Sequence, residues 1–392
     1  MLKQEVMNNS QKQLLDLVKL AIHPEIEIPE SLKVGTIDWK EVLDEAMKQS
    51  LMGVAFVGFK VWSASDYVKK SGATIDRRLL TQWAGFCEKI REDNLLLNLR
   101  TSQVCRNFAK DGFRVSVMKG QGNALLYGEN LSLMRSSGDI DVWVEGGFEK
   151  VNDYVQKIAP TTHISEKDIV FDVFSDTEVE VHYRPYIMRN PFRDRRLQKF
   201  FASQAEACFT NKVQLLAKHK EGEKSMMDAF VTTTSFNLVH QLAHIHRHLF
   251  AVGMGLRHVM DYYFQLVHAE KALSREEKDG VIHVVKSIGL ERLAKALTWI
   301  LVEHFGLPMS CILWEPNKED GESLLEDILR TGNFGIGEEH LHSGIQSGGF
   351  KSLIGVLKHN WAMSRFDRTD WLWGPIYRIY YFIWRKLRGF SS

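Results

Sequence analysis

The most informative spacing in this 392-residue chain is a pair of aspartates one residue apart, Asp139 and Asp141. They lie in the run DIDVWV, whose composition predicts a β-strand. Successive side chains of a strand point to opposite faces, so both carboxylates are expected on one face, with Ile140 and Val142 in a core on the other. Such carboxylates repel each other unless a cation lies between them, and Mg²⁺ or Mn²⁺ prefers oxygen ligands. The pair suggests a metal site, although two acids on a solvated strand face would show the same spacing.

A third carboxylate is expected on a neighbouring strand. Glu180 and His182 fall on one face of a second strand candidate, Val179–Tyr183, and the valines fall on the other. Alternation at 169–174 and the turn residues 175–178 predict a hairpin that leads into this strand. Beside the aspartates, Glu180 would complete a three-carboxylate site for one or two metal ions.

A glycine-rich turn precedes the aspartates. The run 114–118 alternates like a strand, the sequence KGQG (119–122) interrupts it, and a short helix is expected at 123–127. Exposed backbone N–H groups at such a turn suit a triphosphate, with Lys119 as an added cation. Without the aspartates, an ordinary strand-to-helix connection would be the better interpretation.

Several separated motifs together resemble those of the bacterial uncharacterised nucleotidyltransferase family, which is placed in the DNA polymerase β-like nucleotidyltransferase superfamily. The motifs are Met118-Lys119-Gly120, Leu125-Leu126-Tyr127, RSSGDID (135–141), VEVHY (179–183) and GLRHVMD (255–261). The resemblance implies an α+β fold, in which a polymerase β-like core of a small mixed sheet with flanking helices lies between N- and C-terminal helical regions.

The resemblance also implies a function. It suggests Asp139, Asp141 and Glu180 as metal ligands and catalytic residues, with Mg²⁺ or Mn²⁺ as the cofactor. The candidates for nucleotide binding are Lys119, Gly120, Gly122, Arg135 and Ser137, with Ser136 as the alternative to Ser137. The implied reaction moves a nucleoside monophosphate from a nucleoside triphosphate (NTP) to an unknown hydroxyl acceptor, and it releases pyrophosphate.

Two alternatives accompany this interpretation. The planar fork of Arg135 suits phosphate oxygens, but a structural ion pair with a nearby carboxylate is an equal alternative. Gly120-Gln121 stands where the superfamily usually has a Gly-Ser pair, so no hydroxyl is available there for a phosphate contact. This departure, with the long helical additions, motivates a rival function, in which the chain is a non-catalytic scaffold or binding protein that keeps the fold.

The pattern of periodicities predicts three regions. Residues 1–112 are expected to form an N-terminal helical region, 113–210 the nucleotidyltransferase core, and 211–392 a C-terminal helical region. In the first region, Asp38 is a predicted N-cap, and a long helix is expected over Arg77–Lys110. Later helices are predicted at 148–158, 194–207, 226–249, 256–268, 276–288, 291–304 and 350–370.

A histidine-rich stretch, FNLVHQLAHIHRH (236–248), is the main competing feature. Its HQLAH segment resembles the zinc-protease motif HExxH, but Gln241 replaces the glutamate and cannot act as a general base, which argues against a zinc protease. His240, His244 and His248 share one helix face. A bare metal site is one interpretation, and satisfied histidines at a helix–helix contact are the favoured one.

The C-terminal stretch 371–390 combines aromatic residues with arginine. It fits an interfacial membrane helix or a nucleic-acid contact, but an aromatic helix packed onto the body of the protein is favoured. The glycine-rich run 332–349 is expected to be a lid or a linker.

The overall composition limits the class of partner. Lys and Arg number 50 against 49 acidic residues, which argues against a globally basic nucleic-acid binder. An NTP and an acceptor (a protein, a sugar or a small molecule) are the expected partners, and a nucleic acid is not favoured. There is no apolar run typical of a signal peptide or a transmembrane helix, and the four cysteines are far apart, so a cytoplasmic location with reduced thiols is expected.

Overall fold

The structure, a computed structural model, describes residues 7–219, 222–251, 253–333 and 363–390. The fold is α+β, as predicted, with a small mixed sheet between helices from both ends of the chain. The N-terminal helices are α1 (Asn9–Ile22), α2 (Trp39–Lys48), α3 (Met52–Ala64), α4 (Asp66–Ser71) and α5 (Arg77–Lys110). The Asp38 carboxylate caps α2 by accepting hydrogen bonds from the backbone N–H groups of Lys40 and Glu41, which confirms the predicted cap.

The central sheet contains five strands in the order β1-β2-β5-β4-β3. The strands and the helices between them are β1 (Val115–Val117), α6 (Gln121–Ala124), β2 (Asp139–Val144), α7 (Gly147–Ile158), β3 (Thr161–Ile164), β4 (Asp168–Phe171) and β5 (Glu178–His182). Strands β2 and β5 are parallel, and the other neighbours are antiparallel. The hairpin predicted before the second carboxylate strand is confirmed as β4–β5, whereas β3 was not predicted.

The two faces of β2 differ as the alternation requires. Ile140 and Val142 are buried in a core with Val179 and Val181 of β5, against α5 and α7. Trp143 points to the other face. The carboxylates of the two central strands therefore lie on the face opposite the apolar core. On that face they can meet solvent or a ligand.

A second hairpin follows the helix α8 (Pro191–Thr210). It consists of β6 (Lys212–Lys218) and β7 (Lys224–Phe230). The helix predicted at 226–249 is therefore wrong in its first part, and the observed helix α9 begins at Thr234. The sequence of β7, KSMMDAF, is poor in β-branched residues, so its strand conformation depends on pairing with β6 rather than on local propensity.

The remaining helices complete the C-terminal part. They are α9 (Thr234–Ala251), α10 (Leu256–Ala272), α11 (Arg275–Ser287), α12 (Glu291–Phe305), α13 (Lys318–Thr331) and α14 (Arg368–Leu387). The predicted helices at 256–268, 276–288 and 291–304 are confirmed. The lid or linker predicted at 332–349 and the helix predicted at 350–370 lie largely outside the described residues.

Helix α14 packs one face onto the body of the protein. The ring of Trp384 lies 5.7 Å from that of Phe148, and the Tyr377 hydroxyl donates a hydrogen bond to Glu166. The opposite face is apolar and exposed, with Leu372, Ile376, Ile379, Ile383 and Leu387 at its centre. None of the helices in the described part of the chain is long and apolar enough to cross a membrane.

Candidate active site

The register of the two parallel strands brings four carboxylates onto one face. Asp139 pairs with Glu178, and Asp141 pairs with Glu180, so the four form two cross-strand pairs about 4.8 Å apart in strand spacing. The three predicted carboxylates are therefore brought together. Glu178 was missed because it lies in the predicted turn; its position two residues before Glu180 was the only available signal.

Lys119 and His182 contact the more buried pair. The Lys119 ammonium lies 2.6 Å from a carboxylate oxygen of Asp141. The imidazole Nε2 of His182 lies 2.9 Å from the same oxygen and 3.2 Å from an oxygen of Glu180. Lys119 follows β1, which pairs with β2, and this pairing brings its side chain to the carboxylates.

The pKa values in this group reflect burial and mutual charge. Burial raises the pKa of Asp141; Lys119 opposes the rise, and Asp139 and Glu180 add to it. Burial also acts to raise the pKa of Glu180, but the hydrogen bond from His182 and the charge of Lys119 hold it well below its usual range. Burial acts to lower the pKa of Lys119, yet the carboxylates raise it. The charge of Lys119 therefore helps these buried carboxylates to stay ionised.

The donor set fits a divalent metal ion. Asp141, Glu180 and His182 each offer one ligand atom, and these atoms lie within 4.8 Å of one another. Carboxylate oxygens suit Mg²⁺ and Mn²⁺, and an imidazole nitrogen suits Mn²⁺ better than Mg²⁺. Asp139 lies on the same face beside this group and can add a further oxygen.

Of the two glycines that were predicted to bind nucleotide, only Gly120 lines the cavity. Gly120 lines the cavity and has a φ of 51° and a ψ of −110°, a conformation that favours glycine. Gly122 donates its backbone N–H to the Lys119 carbonyl at 2.9 Å and is not among the residues that line the cavity. The Gln121 side chain is buried and donates a hydrogen bond to Asn98, so it is directed to α5.

Arg135 lines the same cavity, but its guanidinium is already engaged. Its Nε and one Nη donate to the two carboxylate oxygens of Asp261 at 2.7 and 2.8 Å, and the other Nη donates to the Ser137 hydroxyl at 2.7 Å. The Tyr127 hydroxyl also donates to Asp261. Arg135 thus forms the structural ion pair that was the alternative to phosphate binding, and Ser137 is its partner rather than part of the cavity lining.

Arg257 is a cation that sequence reasoning missed. It lines the cavity and donates a hydrogen bond to the Ser136 carbonyl at 2.9 Å. Within the described parts of the chain it forms no ion pair, and its buried Nε has no hydrogen-bond partner. Burial and the nearby charge of Arg135 lower its pKa. Its place in the GLRHVMD motif was the signal that could have identified it.

A cavity of about 570 Å³ lies between the carboxylates and helices α9 and α10. His240 of α9 contacts the Pro185 carbonyl, and His246 contacts Asp367, as the favoured interpretation expects for satisfied histidines. His244, His248 and His258 form a separate group in the cavity wall. The cavity therefore has a charged side built on strands and a histidine-rich side built on helices.

Comparison with known proteins identifies the family. Residues 35–306 match the profile of the family described as "Uncharacterised nucleotidyltransferase". A crystal structure of an antigenic nucleotidyltransferase-like protein from Paracoccidioides brasiliensis is similar at 11% sequence identity, with a TM-score of 0.28, over 50% of this chain and 88% of that one. No curated protein matches the sequence. The family profile covers most of the chain and confirms the resemblance seen in the motifs: the chain belongs to the uncharacterised nucleotidyltransferase family.

Proposed function

We propose that the chain is a divalent-metal-dependent nucleotidyltransferase. It transfers a nucleoside monophosphate from an NTP to a hydroxyl group of an acceptor and releases pyrophosphate. The observation that carries the proposal is the pairing of Asp139 and Asp141 with Glu178 and Glu180 at the edge of a large cavity that also contains cations. Family membership supports nucleotidyl transfer as the reaction class.

The carboxylates of β2 and β5 would hold Mg²⁺ or Mn²⁺. When bound, such an ion neutralises charge on the triphosphate and on the attacking and leaving oxygens. Asp139, Asp141 and Glu180 are the proposed ligands. Lys119, which contacts Asp141, would supply a further cation for a phosphate oxygen.

The remaining steps use residues of this chain. Arg257 would bind phosphate oxygens, because its guanidinium lines the cavity and forms no ion pair with a carboxylate of the described residues. The acceptor hydroxyl attacks the α-phosphorus, and its proton passes to an ionised carboxylate, for which Glu180 is the candidate. The bond between the α-phosphorus and the bridging oxygen breaks, and pyrophosphate leaves.

The two sides of the site come from different predicted regions. The proposed core at 113–210 supplies the carboxylates, and the proposed C-terminal helical region at 211–392 supplies Arg257 and the histidine-rich side. Catalysis therefore requires residues of both regions. The four cysteines are buried free thiols, which supports a reducing compartment such as the cytoplasm.

The test is nucleotide binding and transfer by the full-length protein. Calorimetry with each NTP and Mg²⁺ or Mn²⁺ measures binding, and incubation of each α-labelled NTP with a cell lysate identifies the acceptor by the label that it retains. The variant Asp139→Asn/Asp141→Asn removes two charges with little change of shape. We expect it to abolish metal-dependent NTP binding and labelling.

The matched control is Asp153→Asn on the exposed face of α7. It removes an aspartate of the same region and should bind and transfer as the unmodified protein does. Failure of the unmodified protein to bind any NTP or metal ion would contradict the proposal. That result would favour the rival function, a non-catalytic scaffold or binding protein with this fold.

A further inference from the structure

Three histidines from two helices meet in the cavity wall. His244 and His248 lie one turn apart on α9, and His258 lies in the first turn of α10. Their ring centroids are 4.4 Å apart for His244 and His248, 4.5 Å for His248 and His258, and 5.3 Å for His244 and His258. One nitrogen from each lies within 4.8 Å of the others. This convergence is separate from the carboxylates of β2 and β5.

Burial favours the neutral form of all three imidazoles. Burial is the main cause that lowers the pKa of each of them, and the positive charge of Lys119 lowers it further. The pKa of His248 falls to about 3. A neutral imidazole has a free lone pair, and this is the form that binds metal ions.

His258 has an unsatisfied nitrogen. Its side chain is 3% exposed, and its Nε2 has no hydrogen-bond partner. A buried polar atom without a partner is energetically unfavourable, so an unpaired nitrogen beside two other imidazoles points to an absent ligand. The Gln241 amide donates a hydrogen bond to the His258 carbonyl and fixes the start of α10 at this position.

We propose that His244, His248 and His258 form a binding site for a divalent transition-metal ion of the Zn²⁺ type. Imidazole nitrogen suits Zn²⁺, Co²⁺ and Ni²⁺, whereas Mg²⁺ requires oxygen ligands. Tetrahedral coordination by nitrogen places the ligand atoms about 3.4 Å apart, so nitrogens that lie within 4.8 Å of one another need to approach by at most about 1.4 Å. All three residues line the cavity, so the fourth coordination position faces it and is open to water or to a bound molecule.

The charge of the cavity does not exclude a second cation. Its lining carries equal numbers of cationic and acidic side chains: Lys119, Arg135, Lys167, Arg247 and Arg257 against Asp139, Asp141, Glu178, Glu180 and Asp261. The charges of Lys119, Arg247 and Arg257 add to burial in lowering the pKa of His248. An anionic ligand or a metal-bound hydroxide in the open position would compensate for these charges.

The test is titration of the full-length protein, first stripped with a chelator, with Co²⁺ and then with Zn²⁺. We expect one equivalent of Co²⁺ to give the intense visible absorption of a four-coordinate ion, which Zn²⁺ then removes. The variants His244→Gln and His258→Gln should each weaken Zn²⁺ binding by more than the roughly 10–100-fold loss that follows removal of a residue outside the coordination shell. Thermal unfolding measured on each variant shows that it remains folded.

The matched control is His268→Gln, which removes an exposed histidine from the same helix α10. It should bind Co²⁺ with unchanged affinity and spectrum. The Asp139→Asn/Asp141→Asn variant should also keep the Co²⁺ spectrum, so the histidine site and the proposed transferase site can fail separately. Absence of the Co²⁺ spectrum in the unmodified protein, or an unchanged spectrum in both His244→Gln and His258→Gln, would overturn the proposal.

Discussion

The two sides of the cavity hold functional groups in opposite ways. The carboxylate wall, formed by Asp139, Asp141, Glu178 and Glu180, is charged, and Lys119 and His182 contact its inner pair. The histidine wall, formed by His244, His248 and His258, is neutral because burial suppresses its protonation. Nearby positive charge favours the ionised carboxylates of the first wall, and burial favours the unprotonated imidazoles of the second.

This difference shows how one cavity can offer two kinds of ligand. The carboxylate oxygens that strand register brings together suit hard ions such as Mg²⁺. The neutral imidazole nitrogens that helix packing brings together suit softer ions such as Zn²⁺. The ion pair between Arg135 and Asp261 links the two walls. Arg135 lies just before β2, and Asp261 lies one turn after His258 on α10. The walls can therefore be perturbed together or one at a time.

The largest effect is expected from Asp261→Ala, which perturbs both walls. The substitution leaves the Arg135 guanidinium, which is 5% exposed, without its partner. Breaking a buried ion pair on one side typically costs about 3–5 kcal/mol. We expect the free energy of unfolding, measured by urea denaturation, to fall by that amount.

The double variant Arg135→Met/Asp261→Leu is the control for this experiment. It removes both charges and replaces them with apolar groups of similar size, so it should be more stable than Asp261→Ala. If the two variants are equally unstable, the buried charge is not the cause, and the connection between the walls rests on packing alone.

The histidine wall should make the protein sensitive to acid. The unfolded chain protonates His248 below a pKa of about 6.5, whereas the folded protein holds it neutral down to about 3. Below pH 6.5 the unfolded state therefore binds one more proton, and stability falls by about 1.4 kcal/mol per pH unit. By pH 4 this one residue costs about 3 kcal/mol. In the presence of a chelator, His248→Gln should remove that part of the decline in urea denaturation measured from pH 7 to 4.

The comparison for His248→Gln is His283→Gln on the exposed face of α11. Because His283 is exposed in the folded protein, we expect His283→Gln to leave the decline of stability from pH 7 to 4 in place. His182 in the carboxylate wall acts in the opposite direction: burial acts to lower its pKa, but hydrogen bonds to Asp141 and Glu180 raise it above its usual value. Its contribution is complete below pH 6.5 and is lost as the pH rises through its folded value. Equal slopes of stability against pH for His248→Gln and His283→Gln would contradict the neutral state of the histidine wall.

The carboxylate wall could be predicted from the sequence in large part. Alternation assigned β2 to its observed residues, put Asp139 and Asp141 on one face, and put Ile140 in the core. Strand periodicity is local, so a six-residue run is enough to show it. The pairing of Asp139 with Glu178 was not visible, because the register between β2 and β5 depends on contacts across the sheet.

The histidine wall could not be predicted in the same way. The helix showed that His244 and His248 share a face, but the approach of His258 depends on how α9 packs against α10. The engagement of Arg135 by Asp261, 126 residues later, is a long-range contact for the same reason. Side chains that meet through helix packing leave no fixed spacing in a single sequence.

A smaller effect is expected from Gly120→Ala, at the turn beside the carboxylate wall. Gly120 has a φ of 51°, where an L-residue is strained, and an added Cβ would lie 3.4 Å from the Asp139 carbonyl. Such strain costs about 1–3 kcal/mol, measured as a loss of unfolding free energy. The control is Gly122→Ala, where φ is negative and the added Cβ would make an ordinary 3.5 Å contact. A loss as large at Gly122 would show that space rather than backbone conformation limits this turn.

The smallest effect is expected from Glu178→Gln, at the exposed end of the carboxylate wall. Glu178 is exposed and has its pKa raised by partial burial and by the neighbouring charges of Glu180 and Asp139. An exposed charge contributes about 1 kcal/mol or less, so we expect Mn²⁺ affinity, measured by calorimetry, to fall by about fivefold or less. The difference should shrink as salt is added, because exposed charges are screened. Glu180→Gln, which removes a proposed ligand, should weaken binding much more. An equal loss in the two variants would make Glu178 a ligand, and the wall would then bind metal through both of its cross-strand pairs.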